Sequence, residues 1–191
     1  MVEESILRLI DKTIKETWVN EIKEDYEEDY LLKEDSLKNS LYFHLRTKLE
    51  TLLREHDLRI FPEYYFPELK YRADLAIVQM DAESENYYLK DRVKDIVAIF
   101  ELKYVNASNN DEATEQWIMD DVRKFKRYIQ EGKVNAQFYF DVIYENERTT
   151  LNWMDKRSSN HWAKGRVTEL DASLVSGKMK FAVYSYNGLN G

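Results

Sequence analysis

Apolar residues recur at helical spacing in three stretches of the chain. Ile6, Leu7, Ile10, Ile14 and Trp18 do so over residues 3–23, giving a helix with one apolar face. In EDSLKNSLYFHLRTKLETLL, Leu37, Leu41, Leu45, Leu49 and Leu52 predict a helix from about 36 to 55, with Asp35 or Ser36 as its N-cap. TEQWIMDDVRKFKRYIQE, residues 114–131, predicts the third, with Trp117, Ile118, Val122, Phe125 and Ile129 inward and Gly132 ending it. Aromatic and β-branched runs predict strands at 59–66, 71–80, 96–104 and 136–144. Three consecutive strands suggest an antiparallel meander, and strand–helix–strand a parallel crossover. The expected class is α/β: a mixed sheet flanked by helices. Beyond residue 146 the pattern suggests a helix around 150–164 holding Trp153 and Trp162, then a terminal hairpin from VTELDASL and KMKFAVYSY.

Composition narrows the chemistry. The 191 residues hold no cysteine, which excludes a disulfide framework, thiolate metal sites and a cysteine nucleophile. Three scattered histidines argue against a multi-histidine metal site, and His44 reads as an ordinary helix residue. The opening, MVEESILRLIDK, carries early acids and does not read as a signal peptide. No apolar run approaches the ~20 residues that span a membrane, so a soluble, cytoplasmic protein is expected. Net charge is −8, yet residues 1–35 alone hold twelve acids against five bases. One domain is expected, divided into an acidic N-terminal helical arm (1–33), a core (34–145) and a C-terminal α+β extension (146–191). The acidic stretch EDYEEDY within the arm reads as a solvated helix face or loop; docking to a basic protein partner is the sharper alternative.

Ile96–Phe100 is the longest apolar run before Glu101, and the chain there reads IFELKY. Ionised groups are costly to bury unless they pair or bind a metal. Glu-x-Lys also occurs at Glu21–Lys23, Glu68–Lys70 and Glu131–Lys133, so context must select among the four. In a strand, alternate residues share a face, which would set Val97, Ile99, Glu101 and Lys103 together, and likewise Arg72, Asp74, Ala76 and Val78. Pairing these strands antiparallel with Asp74 opposite Glu101 matches Ala76 to Ile99 and Val78 to Val97. The two acids then meet at one end of the hairpin. Opposed carboxylates repel, and a divalent cation would hold them there.

These residues resemble the PD-(D/E)XK nuclease superfamily, whose core is helix, three-stranded meander, helix, strand. Asp74, Glu101 and Lys103 match its motif, with Ala73 where the name-giving proline stands. The resemblance implies a restriction-endonuclease-like fold and a Mg²⁺- or Mn²⁺-dependent nuclease, here a DNA endonuclease. It further implies an acid at the start of the first helix, Glu34, and a lysine on the following helix, Lys124, with Asp121 one turn before it. Asp74, Glu101, the Leu102 carbonyl and Glu34 would then hold the metal, while Lys103 orients or deprotonates the attacking water. Material for nucleic acid is offered by Arg72, Arg123, Lys124, Lys126 and Arg127, then Arg157, Trp162, Lys164 and Arg166. Cleavage of two strands would favour a homodimer. The competing expectation is a catalytically inactive fold of this kind, serving as a protein- or nucleic-acid-binding module.

Overall fold

The computed structural model describes residues 2–67, 70–106, 111–131, 134–149, 152–154 and 161–189, with the backbone alone for 111–113. The chain is α/β, built on one six-stranded mixed sheet. Helix α1 (Glu4–Thr17) continues through a π-helical turn, Trp18–Ile22, into α2 (Lys23–Glu27). Helices α3 (Glu34–Lys48) and α4 (Glu50–Glu55) precede β1 (Leu58–Phe66), β2 (Tyr71–Met80) and β3 (Val93–Val105). After α5 (Asp111–Gln130) come β4 (Gln137–Glu147), β5 (Val167–Val175) and β6 (Lys178–Ser185). The strands lie in chain order; β3–β4 and β4–β5 are parallel and the other pairs antiparallel. No described helix is long and apolar enough to cross a membrane.

The sheet separates two cores. On one face Ile10, Ile14, Trp18, Leu37, Leu41 and Leu45 pack against Leu75, Ile77, Phe100 and Leu102. On the other, Ile118, Val122 and Phe125 of α5 pack against Ile99, Phe138 and Phe140, joined by Trp153 and Trp162. Coverage on both faces explains why β3 and β4 read as nearly unbroken apolar runs. The terminal segments belong to the same body: Trp18 Nε1 donates to the Asp171 carbonyl, and buried Asp11 accepts from Tyr139 and from Asn187 near the C-terminus.

Several local expectations change. Helix α3 begins at Glu34 with Lys33 as N-cap, so Asp35 and Ser36 lie inside it. The Ser36 hydroxyl instead accepts from the Lys33 N–H at 3.0 Å from within the first turn. A break at Leu49 splits the expected 36–55 helix in two. Trp117 is 60% exposed, because the buried stripe runs through Ile118, Val122 and Phe125 and places Trp117 at its edge. EDYEEDY is less solvated than expected: Asp25 accepts from Ser40 and pairs with His44, while Tyr26 packs on Phe181 and donates to Glu145. Around 150–164, the described residues 152–154 and 161–164 form bends and turns, not a helix. Gly132, Lys133, Glu68 and Arg157 lie outside the described residues.

Two irregularities set which side chains face where. A register shift between Ile77 and Val78 pairs Val78 with Ile96 instead of Val97, so Val97 joins the α3 core while Ile99 faces α5. The second lies at Glu63, whose φ of +53° is left-handed. Leu58 and Ile60 face α3 before it; Tyr64 and Phe66 face α5 after it. Its partner strand changes parity at the same level: Leu75 and Ile77 face α3, Tyr71 and Ala73 face α5. Arg72 therefore does not share a face with Ala76 and Val78, and Asp74 sits at the kink itself.

Candidate active site

The pairing of β2 with β3 runs through Ala76–Ile99 and Leu75–Phe100, so Asp74 and Glu101 are next in register, as the sequence predicts. Past that point the Leu102 N–H donates to Asp74 Oδ2 at 2.8 Å. Asp74 thus clamps the main chain midway between Glu101 and Lys103. In an extended strand a residue's N–H and C=O point to the same side, so the Leu102 carbonyl is directed toward Asp74 as well.

The flanking helices bring the rest. Lys103 Nζ lies 3.5 Å from Glu34 at the start of α3, 3.7 Å from Glu101 and 3.2 Å from Asp121 on α5. Lys124, one turn beyond Asp121, pairs with it and stands 3.7 Å from Glu101 Oε1. Every residue expected in the catalytic or metal set, Asp74, Glu101, Leu102, Lys103 and Glu34, falls in this one cluster, with Asp121 and Lys124 beside it. Of the three alternative Glu-x-Lys pairs, Glu21 and Lys23 are spent on helical ion pairs with Lys48 and Glu27, and the other two fall partly outside the described residues.

One residue of the cluster escapes the sequence. The Tyr71 hydroxyl donates to Glu101 Oε2; its ring stacks on Phe66 and lies under Lys124. An aromatic residue opening a strand reads as core, and only the kink at Asp74 turns Tyr71 toward Glu101.

Four carboxylates, Glu34, Asp74, Glu101 and Asp121, face two ammonium groups. Burial, then Asp121 and Asp74, push the Glu101 carboxyl up to about 8 despite Lys103 and Tyr71. Burial also raises Asp74 and Glu34. Burial alone would lower Lys103, but Asp121, Glu101 and Glu34 outweigh it and hold the ammonium above its ordinary value. Lys103 stays charged among three acids, and the site holds more acids than lysines.

Among the described residues no group of three or more His, Cys, Asp or Glu side chains is arranged so that it could hold a metal ion. Mg²⁺ commonly takes only one or two carboxylates and keeps several waters. Asp74, with one oxygen engaged by the Leu102 N–H, and Glu101, whose Oε2 accepts from Tyr71 while Oε1 faces Lys103 and Lys124 at 3.7 Å, are acids of the type that requirement calls for.

The residues expected to meet nucleic acid are mostly occupied. Arg72 lies 3.9 Å from Glu63, Arg123 2.5 Å from Asp120 and Arg127 4.0 Å from Glu131. Arg166 donates to Asn135 and to the carbonyls of Val134 and Ala136, tying the approach to β4 onto β5. Trp162 is buried in the α5-side core, and Lys164 is exposed. Comparison with protein-family models, curated proteins and solved structures gives no match.

Proposed function

We propose that this protein is a divalent-cation-dependent nuclease, acting as a DNA endonuclease, with α3, β1–β3, α5 and β4 forming a restriction-endonuclease-like core. The observation that carries this reading is the Asp74 clamp on Leu102. It fixes two acids and a lysine at one sheet end, where helices from both faces deliver Glu34, Asp121 and Lys124.

Mg²⁺ or Mn²⁺ would be held by Asp74, Glu101 and the Leu102 carbonyl, with Glu34 acting directly or through water, and would supply charge neutralisation and a more acidic water. Lys103 orients the attacking water by donating to it and stabilises charge developing on the phosphate. Deprotonating that water does not suit Lys103, because three acids keep it an ammonium. Tyr71 holds the Glu101 carboxylate in one rotamer, and Lys124 offers a second cation to the phosphate.

Supercoiled plasmid incubated with Mg²⁺ or Mn²⁺ should be nicked and linearised by the wild type, and left intact in EDTA. Lys103→Ala should fold normally and lose most cleavage. The alternative, an inactive module in which Lys103 is a structural lock, favours the same three ion pairs; there Lys103→Ala lowers Tm and the wild type leaves every substrate uncut.

A further inference from the structure

We infer that the groove between α3, α4 and the start of β1 binds the phosphate backbone of duplex DNA beside the scissile bond. This rests on the nuclease reading above and adds the surface along which the substrate lies. The groove encloses about 540 Å³ and is lined by Tyr42, Arg46, Glu50, Arg54, Leu58 and Arg59, among others. Three arginines against one glutamate is an unusual local balance in a chain of net charge −8.

The state of Arg46 and Arg59 separates them from the basic groups of α5. Among the described residues, neither Arg46 nor Arg59 pairs with a carboxylate. Arg59 Nη1 donates to the carbonyls of Leu53 and Leu58, at 3.3 and 2.7 Å, so its charge is fixed in place without being neutralised. Arg54 pairs with Glu50 at 2.7 Å, but both are exposed, and such pairs are worth little and exchange readily. Arg123 and Arg127 of α5 are likewise paired with nearby acids, Asp120 and Glu131, so it is Arg46 and Arg59 that stand apart. A guanidinium is the side chain best shaped for a phosphate.

Continuity with the candidate site favours nucleic acid over an acidic peptide. Glu34, Lys38, Tyr42 and Arg46 recur at four-residue intervals and form one stripe along α3. At about 1.5 Å per residue, Arg46 lies about 18 Å from Glu34 along the helix, roughly five base-pair steps of about 3.4 Å. A duplex whose scissile phosphate meets Lys103 would pass its flanking backbone over Arg46 and into the groove.

The test is fluorescence anisotropy of a short labelled duplex in EDTA, where the proposed cleavage cannot run, over a range of salt. Arg46→Ala and Arg54→Ala change exposed side chains and should fold, which their Tm verifies. Each should weaken binding equally for unrelated sequences and reduce the salt slope by about one; the double variant should lose about tenfold or more near 0.1 M salt. Lys178→Ala, an exposed cation on β6 at the opposite edge of the sheet, should bind as the wild type does. Wild-type protein that binds no duplex, or a double variant that binds as well as wild type, overturns the inference. So does a poly-glutamate peptide that binds and responds to these variants while the duplex does not. If the duplex binds through the groove but Mg²⁺ elicits no cutting, the groove stands and the nuclease reading falls. If cutting proceeds while groove variants bind normally, the reverse holds.

Discussion

Glu101 and Lys103 lie two residues apart on one strand yet sit in opposite electrostatic situations. Burial and neighbouring acids both work against the charge on Glu101, whereas on Lys103 the acids Asp121, Glu101 and Glu34 outweigh burial and keep the ammonium charged. Their substitutions should therefore separate. Glu101→Gln removes a ligand charge and should abolish cleavage together with metal affinity. Lys103→Ala should retain the metal-dependent rise in Tm and lose at least about a hundredfold in single-turnover rate, the scale of removing one positioned donor to developing charge. Asp74→Asn weakens a ligand and should lose most of the Mn²⁺-induced Tm shift. An identical Mn²⁺ response in wild type and Asp74→Asn would place the metal elsewhere. Tyr71 is the residue that sequence pattern missed, since nothing in a one-dimensional alternation announces a two-strand kink.

Helix α5 shows how finely a face is divided. Its buried stripe includes Ile118, Val122, Phe125 and, on the side of the site, Asp121; Trp117 is left largely in water. Trp117→Ala should thus change unfolding free energy by less than about 0.5 kcal/mol. Phe125→Ala, emptying space between Phe138 and Phe140, should cost about 3–5 kcal/mol. Urea unfolding of the two variants decides this directly. The strands carry a similar distinction. Perfect alternation along β2 would put Arg72 beside Ala76, but the left-handed Glu63 and its partner level at Asp74 reverse both strands together.

Across the whole molecule, buried acids cluster on the sheet. Burial raises Asp141 and Asp171 well above their ordinary values and Glu169 to about 8, the same value as Glu101. The sign follows from proton binding: between the ordinary carboxyl range and about 8, the folded state holds more of these protons than the unfolded state. Stability should then be greatest on the acid side of this window and fall as pH rises through about 8. Thermal melts from pH 5 to 8 should show this decline, and Glu101→Gln should flatten part of it. A divalent cation binds the ionised site in the native state alone. Its stabilising shift in Tm should accordingly grow with pH over the same interval, and a shift independent of pH would argue against carboxylate ligands.

Periodicity by itself determined that this chain has an α/β core: spacing of three and four marked the amphipathic helices, and strand composition and order predicted the mixed sheet. It also set Asp74 level with Glu101, because placing Ala76 against Ile99 keeps the apolar faces together and leaves the two acids next in line. Tertiary structure alone decided the rest. The start of α3 shifted to Glu34, since a first turn can be satisfied from Ser36 within it as well as by a cap before it. The bulge beside Val78 and the kink at Glu63 reversed strand faces, because an extra unpaired residue or a left-handed one breaks the two-residue alternation on which a sequence pattern relies. Whether a basic residue is free or spent depends on acids distant in sequence or one helical turn away. Composition pointed to α5 as the cationic surface, but packing left the unpaired arginines between α3 and the edge of β1.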